Sequence, residues 1–454
     1  MTIFKAYDIR GVVPDELDAD LAYRIGRAAA RFLAAERLAV GRDARRSSPE
    51  LRDALVRGIV DEGVHVVDLG LVSTPMLYFA VDHLGTGGGI MLTASHNPAR
   101  YNGFKVCREH AIPVGEASGL RDIEQLVSEC GGAKPVGAGG EVSSVDVRAD
   151  YVDHVLSVGT GRPALEVVID CGNGMAGVGL EPLLERLPLE VERLYFEPDG
   201  SFPNHEADPL KVENLADVSR AVKRTGAAFG AAFDGDADRV VFVDDVGEPV
   251  PSDLMTALLA RYQLRRQPGG LVLYDLRSSR AVAEEVERAG GVSGMCRVGH
   301  SYVKAQMRES GAIFAGELSG HLYFRFSPTL VADDGIAGFV ALLDVLARES
   351  KPLSEIVAPL RRYSASGEIN SRVADVSRVI DTIEAEHQGA SEISRLDGLL
   401  VRYDDWWFNL RPSNTEPVLR LNLEAESEAR MTTERDRILA RIGELGGSNT
   451  RLGA

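Results

Sequence analysis

The alternation of strand-like and helix-like segments constrains this chain more than any other feature. Short apolar runs typical of buried strands are followed by segments with helical periodicity, and this order recurs along the first 130 residues. The helix signal is clear at 48–62, where Ser48 is predicted to be the cap and Pro49 the first helical position. Such β–α–β alternation predicts a mostly parallel sheet covered by helices.

The alternation restarts twice. A Gly-rich segment, 131–140, is predicted to be a linker, and further α/β units begin near Asp150 and near Ser252. The last hundred residues differ, with strand-like runs followed by one charged helix. We therefore predict three similar α/β domains with mixed, mostly parallel sheets and a C-terminal α+β domain. The predicted limits of the four domains are 1–147, 148–248, 249–362 and 363–454.

The charge of the chain limits its partners. The net charge is −18 over 454 residues, which argues against a nucleic-acid or anionic-membrane surface. The four cysteines show no paired spacing, so we expect neither a disulfide framework nor a zinc site, and no apolar stretch approaches the length of a membrane span. We expect a soluble, cytoplasmic protein. If its ligand is anionic, basic side chains must be concentrated at one place.

One tight loop carries a candidate nucleophile. The apolar run 87–92 ends at Thr-Ala-Ser-His-Asn-Pro, 93–98, which places Ser95 at the carboxyl end of a strand. Ligands of open α/β sheets bind at that edge. With His96 beside it and Lys105 following, Ser95 is a candidate nucleophile or phosphate carrier. An ordinary turn is the alternative, because Ser, Asn and Pro are common turn residues.

Three carboxylates are spaced two residues apart within Asp-Gly-Asp-Ala-Asp-Arg, 234–239. Alternate residues of an extended loop point the same way, so Asp234, Asp236 and Asp238 are predicted to converge. A hard divalent cation relieves their repulsion, and oxygen ligands in a small charged site suit Mg²⁺. An EF-hand is excluded because no glutamate stands at its closing position. A solvated acidic turn is the remaining alternative.

Two further loops carry groups that suit a sugar phosphate. Arg-Pro-Ser-Asn-Thr-Glu-Pro, 411–417, offers a guanidinium, hydroxyls and an amide for a phosphate dianion. Gly-Glu-Leu-Ser-Gly-His, 316–321, offers a carboxylate and a hydroxyl for sugar hydroxyls. Either loop alone would be equally consistent with a polar turn facing water.

Together the four loops, in this order, resemble the α-D-phosphohexomutase family, and within it the bacterial phosphomannomutase/phosphoglucomutase branch. The opening Phe-Lys-Ala-Tyr-Asp-Ile-Arg-Gly, 4–11, also matches, so the resemblance spans nearly the whole chain. It implies four domains arranged around a central cleft, each contributing one loop, with the last domain acting as a lid. Ala94 and Pro412 are minor departures from the family pattern, and Arg277 stands where a lysine is expected.

The resemblance implies a role for each matching residue. Ser95 would carry the phosphoryl group and complete an Mg²⁺ site with Asp234, Asp236 and Asp238. The implied catalytic residues are Ser95, His96, Lys105, Arg239 and His300. The implied substrate-binding residues are Tyr7, Arg10, Arg277, Lys304, Glu317, Ser319, His321, Arg411, Ser413, Asn414 and Thr415.

The resemblance also implies a reaction: exchange of hexose 1-phosphate and hexose 6-phosphate, of mannose or glucose, through a phosphoserine enzyme and a hexose 1,6-bisphosphate. The implied partners are small sugar phosphates, with the protein a monomer or weak homodimer. Three alternatives remain open at this point. They are a phosphoglucosamine mutase, disfavoured by Leu318 where that branch usually has Gln, a Mg²⁺-dependent sugar-phosphate phosphatase, and a non-catalytic sugar-phosphate sensor.

Overall fold

The computed structural model describes residues 3–130, 139–412 and 418–449. They form four sheets, each with its own helices, in the order of the chain. The predicted fold class, three α/β domains with mixed sheets and a distinct C-terminal domain, is confirmed. The limits proposed for the four domains stay a prediction.

The first domain is built on a six-stranded mixed sheet with the order β1-β5-β4-β2-β3-β6. Its strands are β1 (Ile9–Val12), β2 (Arg37–Arg42), β3 (His65–Leu71), β4 (Gly88–Leu92), β5 (Tyr101–Arg108) and β6 (Val142–Ser144). Its helices are α1 (Ala19–Leu33), α2 (Ser48–Asp61), α3 (Thr74–His83) and α4 (Leu120–Cys130). Strands β2, β3, β4 and β6 pair in parallel, whereas β5 is antiparallel to both of its neighbours.

Strand β6 and the start of α2 differ from the sequence prediction. Residues 142–144, just after the predicted linker, add a parallel edge strand to the first sheet. Helix α2 has Ser47, not Ser48, at its N-cap, and Ser47 makes no side-chain capping bond. The hydroxyl of Ser48 instead donates to the buried carboxylate of Asp43 over 2.6 Å, so the predicted cap was wrong.

The second domain has a five-stranded sheet with the order β11-β10-β9-β7-β8. Its strands are β7 (Leu165–Asp170), β8 (Leu189–Leu194), β9 (Phe229–Phe233), β10 (Val240–Val243) and β11 (Pro249–Val250). Its helices are α5 (Arg148–Leu156), α6 (Ala176–Leu184) and α7 (Ala216–Thr225). Strand β9 pairs in parallel with β7 and antiparallel with β10, so β9 and β10 form a hairpin.

The third domain repeats this plan with the order β13-β12-β14-β15-β16. Its strands are β12 (Leu271–Asp275), β13 (Val292–Cys296), β14 (Phe314–Gly316), β15 (Leu322–Arg325) and β16 (Val331–Asp333). Its helices are α8 (Ser252–Arg266), α9 (Arg280–Arg288), α10 (His300–Ser310), α11 (Gly335–Glu349) and α12 (Leu353–Val357). Side chains of Ser279 and Asp334 cap the N-termini of α9 and α11.

The C-terminal domain is an antiparallel sheet with two helices. Its strands are β17 (Ser364–Ala365), β18 (Ile369–Arg372), β19 (Glu392–Ser394), β20 (Leu399–Arg402), β21 (Trp406–Pro412), β22 (Val418–Ala425) and β23 (Ser448–Asn449). Its helices are α13 (Val376–Glu386) and α14 (Glu428–Glu444). Short 3-10 turns elsewhere lie at Glu109–Ala111, Glu116–Ser118, Val212–Leu215 and Ala358–Leu360.

The hydrophobic cores differ in extent. One large core runs from α3 of the first domain through the second domain to α11 of the third. The C-terminal domain has a separate core of its own. Its main apolar link to the third domain is a small cluster of Leu276, Leu400 and Trp407. The first three domains are therefore fused through their interiors, whereas the last is attached through a small apolar contact and through polar contacts such as the Arg280 N–H to Glu424 and the Val298 N–H to Asp397, each over 3.1 Å.

Two further observations bear on the sequence predictions. All four cysteines are buried with free thiols. Among the described residues, no helix combines the length and apolar character needed to cross a bilayer.

Candidate active site

Ser95 lies on the loop between β4 and β5, at the carboxyl end of β4 as predicted. Its backbone is in the left-handed region, with φ of 49°, and its N–H donates to the Thr93 hydroxyl over 2.9 Å. Its side chain is directed out of the first domain, because Oγ donates to Oδ2 of Asp234 over 2.9 Å. The Nδ1 atom of His96 lies 3.2 Å from the same Oγ.

The β9–β10 hairpin of the second domain brings three carboxylates to that hydroxyl. Asp234, Asp236 and Asp238 are fully buried, and one oxygen of each lies within 4.8 Å of the others. Oδ1 of Asp236 is buried without a hydrogen-bond partner in the described part of the chain, whereas Oδ1 of Asp238 lies 3.3 Å from Nε2 of His321. Buried carboxylate oxygens suit a hard cation, so the acidic loop fits a divalent metal.

The serine loop and the acidic loop touch through their backbones. A Cβ on Gly235 would fall 2.4 Å from the carbonyl oxygen of Ser95, a separation that real Cβ atoms do not adopt. The N–H of Thr74, at the start of α3, also donates to the carbonyl of Asp236 over 3.0 Å, and its hydroxyl donates to that carboxylate over 2.6 Å. Glycine at position 235 is therefore what lets the two domains meet here.

Two cations offset the acidic charge. The Nζ atom of Lys105 lies 2.8 Å from Asp236 and 2.5 Å from Asp238, and Nε of Arg239 lies 3.7 Å from Asp234. Burial alone would lower the pKa of Lys105, but Asp236 and Asp238 raise it well above its ordinary value. Lys105 therefore stays an ammonium, which suits charge stabilisation and excludes it as a base at neutral pH.

The pKa values of Asp234 and Asp238 shift in opposite directions. Burial, followed by repulsion from Asp238 and Asp236, raises the pKa of Asp234 well above its ordinary value. Burial also acts on Asp238, but Lys105 and His321 outweigh it and hold the pKa of Asp238 well below its usual range. Like charges gathered in a buried site thus make a further cation favourable.

His321 connects the loop 316–321 of the third domain to the acidic loop of the second. Its Nδ1 lies 3.4 Å from Glu317 and its Nε2 lies 3.3 Å from Asp238, while the Ser319 hydroxyl is 3.0 Å from Nδ1. Although burial and Arg239 lower the pKa of His321, these two carboxylates raise it above its ordinary value. Glu317 is further held by the Gly299 N–H over 2.7 Å and by the Tyr323 hydroxyl.

The first and third domains also meet around Tyr7. The Tyr7 hydroxyl donates to the Val298 carbonyl over 3.2 Å, and its ring lies edge-on to His300 with centroids 5.6 Å apart. Burial raises the pKa of Tyr7 to about 12, so it remains a donor. Arg10, three residues after Tyr7 and within β1, donates to Asn97 of the serine loop over 2.7 Å and pairs with Asp8.

Two imidazoles at the site are kept neutral. Burial, followed by the charge of Arg239, lowers the pKa of His96 well below its ordinary value. Burial, followed by Lys304, does the same to the pKa of His300. A neutral imidazole can accept a proton at pH 7, so His96 and His300 have the protonation state that a general base needs.

Lys304 is fully buried, and its Nζ lies 2.8 Å from Oδ1 of Asp333, which is also fully buried. The same ammonium lies over the ring of Tyr78, 4.2 Å from its centroid. In this conformation the charge of Lys304 is paired inside its own domain.

Two of the predicted substrate-binding arginines, Arg277 and Arg411, lie near Glu368. Arg411 lies near the end of strand β21, and Arg277 follows β12 and donates twice to Asp275, over 3.1 and 2.8 Å. Glu368, between β17 and β18 of the last domain, lies 3.8 Å from Arg277 and 4.0 Å from Arg411. The predicted phosphate ligands Ser413, Asn414 and Thr415 lie outside the described residues.

Sequence reasoning missed the groups that support this site. The missed residues are Asp43, Arg45, Thr74, Thr93, Asp275, Glu368 and Asp333. Several lie at the carboxyl ends of strands in their own sheets: Asp43 and Arg45 follow β2, Asp275 ends β12 and Asp333 ends β16. The rule that identified Ser95, polar residues at the carboxyl ends of strands, would also have identified these.

Family models and known relatives match this chain along most of its length. The chain matches the four phosphoglucomutase/phosphomannomutase domains: alpha/beta/alpha domain I over residues 1–130, domain II over 149–247, domain III over 251–363 and the C-terminal domain over 368–441. It is 40% identical over 444 residues to a protein of Xanthomonas campestris named phosphohexose mutases, covering 97% of this chain and 98% of the other.

Two other relatives have similar coverage. A phosphomannomutase/phosphoglucomutase of Pseudomonas syringae pv. tomato is 40% identical over 436 residues, 95% of this chain and 92% of the other. A crystal structure of a phosphoglucomutase/phosphomannomutase family protein from Burkholderia thailandensis superposes with a TM-score of 0.90 at 36% identity, covering 99% of this chain and 100% of the other. With all four domains matched in order, the chain belongs to the phosphoglucomutase/phosphomannomutase family, as the four loops of the sequence predict.

Proposed function

We propose that this protein is a phosphohexomutase that interconverts the 1-phosphate and 6-phosphate of mannose, glucose or both. The observation that supports this most strongly is the meeting of Ser95 with the acidic loop, with Oγ 2.9 Å from Asp234. A hydroxyl beside three buried carboxylates and two buried cations is suited to carrying and transferring a phosphoryl group. The relatives named as mutases support the same reading.

The residues that would hold Mg²⁺ are Asp234, Asp236 and Asp238 with an oxygen of phosphorylated Ser95. The convergence of the three carboxylates and the unpartnered Oδ1 of Asp236 fit such a ligand set. Bound there, the metal would neutralise charge on the phosphoryl oxygens. Lys105 and Arg239, which lie against the same carboxylates, would add to that neutralisation.

We assign the proton transfers to the two neutral imidazoles. In the first half-reaction a hydroxyl of the sugar monophosphate attacks the phosphorus on Ser95. The new sugar O–P bond forms as the Ser95 Oγ–P bond breaks, and the electron pair of that bond stays on Oγ. His300 takes the proton of the attacking hydroxyl. His96, with Nδ1 3.2 Å from Oγ, passes a proton from solvent to Oγ: its Nδ1–H donates while its Nε2 takes up a proton in exchange.

The bisphosphate formed in this way must turn end over end before the second transfer. Phosphorylated Ser95 is then regenerated from the other phosphate, so the enzyme ends each cycle as it began. Glu317 and Ser319 would hold sugar hydroxyls, and Arg277 and Arg411 the phosphate that does not react. Recognition by charge tolerates two orientations of the sugar better than a closely fitted apolar pocket does.

Intact mass before and after incubation with glucose 1,6-bisphosphate tests the phosphoserine. We expect one added phosphate, mapping to Ser95, and none on a Ser95→Ala variant, which also loses mutase activity. A matched Ser128→Ala variant, at an exposed site on α4, keeps both. Phosphate mapping to another residue, or full activity of Ser95→Ala, would contradict the proposal.

Substrate preference needs a separate assay. Mannose 1-phosphate, glucose 1-phosphate and glucosamine 1-phosphate are compared side by side, each with its bisphosphate activator. We expect turnover of the first, the second or both to exceed that of glucosamine 1-phosphate. Preference for the amino sugar would indicate a phosphoglucosamine mutase, and release of free phosphate without an activator would indicate a phosphatase.

A further inference from the structure

Arg45 is a fully buried arginine close to the reacting serine that no loop motif marks. It follows β2 and does not touch the acidic carboxylates through any described hydrogen bond or ion pair. Its guanidinium donates to four backbone carbonyls of the serine loop: Ser95 over 2.8 Å, Asn97 over 2.6 Å, Pro98 over 2.8 Å and Tyr101 over 3.0 Å. Its Nε donates to Asp43 over 3.1 Å, so all five donors of the guanidinium are engaged.

A second contact fixes the same loop from the other side of its backbone. The Thr93 hydroxyl accepts the Ser95 N–H, and Thr93 lies close enough to Asp43 to favour the charged form of that carboxyl. Asp43 accepts from Arg45, which holds the carbonyl of Ser95, and lies beside Thr93, which holds its N–H. The peptide groups on either side of Ser95 are fixed by one buried network.

The backbone of Ser95 needs such support. With φ of 49°, it lies in the left-handed region that side chains other than glycine rarely adopt. Strained backbone of this kind persists at functional sites only where surrounding contacts impose it. Rotation of Ser95 to an ordinary conformation would move Oγ away from Asp234.

The second domain closes over Arg45. A Cβ on Gly200 would fall 2.2 Å from the Cα of Arg45, and the Arg45 guanidinium lies 5.1 Å from the ring centroid of Phe202. The segment that carries Gly200 and Phe202 also reaches the acidic loop, because the Gly235 N–H donates to the Ala207 carbonyl over 3.2 Å. Arg45 thus lies between the serine loop and the domain that supplies the carboxylates.

We propose that Arg45, together with Thr93, is a positioning residue that holds Ser95 in its left-handed conformation so that Oγ faces the acidic loop. Arg45 acts through the backbone of the serine loop and touches neither the substrate nor the transferred group. The inference rests on the proposed function, because it assigns a role within phosphoryl transfer by Ser95. A lysine cannot replace Arg45, since one ammonium has three donors at a single point and cannot reach four separated carbonyls.

The test compares Arg45→Lys with Arg27→Lys. Arg27 is another buried arginine of the first domain, paired with Glu62 over 2.6 Å and donating to the Cys130 carbonyl over 3.0 Å, but outside the site. We expect Arg45→Lys to lower kcat and the rate of Ser95 phosphorylation by about 100-fold, with KM for hexose 1-phosphate within about threefold of the wild type. Arg27→Lys should keep wild-type kcat even if it lowers the melting temperature.

A second pair of variants decides the matter if Arg45→Lys does not fold. Thr93→Val removes the acceptor of the Ser95 N–H, whereas Thr93→Ser keeps it, and the two differ little in size. We expect Thr93→Ser to retain most of the phosphorylation rate and Thr93→Val to lose at least about tenfold.

Each outcome has a distinct meaning. Wild-type rates in Arg45→Lys, equal losses of kcat in Arg45→Lys and Arg27→Lys, or equal rates in the two Thr93 variants would overturn the inference. Absence of phosphate on Ser95 of the wild-type protein would instead overturn the proposed function.

Discussion

At the scale of single residues, the buried carboxylates of the site need cations to balance their charge, and Lys105 and a divalent metal would share that role. Lys105 bridges Asp236 and Asp238, and Oδ1 of Asp236 has no hydrogen-bond partner among the described residues. Removing one partner from a buried set of charges leaves the others uncompensated, which costs more than the pair contributes. An ammonium and a divalent metal can each supply the missing charge.

We predict that Lys105→Met lowers the free energy of unfolding by about 3 kcal/mol in metal-free buffer. Added Mg²⁺ should raise the melting temperature of this variant more than that of the wild type, because the metal then supplies charge that Lys105 no longer does. Thermal unfolding in EDTA and in Mg²⁺ measures both effects. Lys211→Met, at an exposed ion pair with Glu206, is the control and should change neither.

An equal response to Mg²⁺ in Lys105→Met and the wild type would show that the lysine and the metal do not share these ligands.

The sequence predicts those residues of the site whose arrangement follows from spacing within a single loop. Asp234, Asp236 and Asp238 could be identified because their convergence follows from spacing within one loop. The position of Arg45, just after β2, could be identified by the strand-end rule, but its role could not, because its partners are backbone carbonyls that leave no trace in residue identity and become neighbours only when the serine loop folds. Glu368 was missed for a related reason: its arginines come from different strands.

At the scale of elements, the site depends on two loops that approach closely enough to exclude a side chain. The β9–β10 hairpin places Gly235 against the Ser95 carbonyl, so the distance between hydroxyl and carboxylate is set by backbone contact between domains. The fold class could be predicted from alternating segments, whereas this contact could not, because it joins residues far apart in the chain.

We predict that Gly235→Ala lowers kcat by about 100-fold, because the added methyl group pushes Ser95 away from the carboxylates. Its circular dichroism spectrum should remain that of the wild type. Steady-state kinetics with glucose 1-phosphate and its bisphosphate measure the loss. Gly443→Ala in helix α14 is the matched control, since a Cβ there meets no atom within 4 Å, and it should leave kcat unchanged.

Wild-type kcat in Gly235→Ala would mean that the two loops separate without consequence for phosphoryl transfer.

At the scale of the whole molecule, His154 lies where three domains meet. This residue of α5 has ring centroids 4.7 Å from Phe79 of the first domain and 4.1 Å from Phe326 of the third. Burial lowers its pKa from 6.5 to about 4, with Asp82 and His83 contributing smaller, opposed effects. The junction therefore favours the neutral ring.

We predict that this junction makes the protein sensitive to acid. The unfolded chain binds a proton at His154 more readily than the folded chain does. At pH 7 the ring is mainly neutral in both states, so the shift costs little stability there. The free energy of unfolding falls as pH falls through 6.5, and the loss is complete below about 4, where it reaches about 3 kcal/mol. Melting temperatures between pH 7 and 4.5 should fall less for His154→Phe than for the wild type.

Parallel curves for His154→Phe and the wild type would assign the acid sensitivity to other groups. His65→Phe, at the exposed start of β3, is the control and should follow the wild type.

The C-terminal domain is predicted to close over bound substrate. The domain has its own core and a small apolar contact with the third domain, so its rotation would expose little apolar surface. Closure would bring the Arg411 guanidinium to the bound phosphate. Small-angle scattering should show a smaller radius of gyration when glucose 1,6-bisphosphate is added. Arg411→Gln should abolish the change, and an unchanged radius in the wild type would argue against closure.

The self-contained interior of residues 364–449 has a consequence for how such proteins diversify. Since few apolar side chains of that unit must match its neighbour, a homologous C-terminal segment could be grafted onto the first three domains with little rematching of buried surface. Recognition of the distal phosphate could then change by recombination while the machinery of transfer is inherited intact.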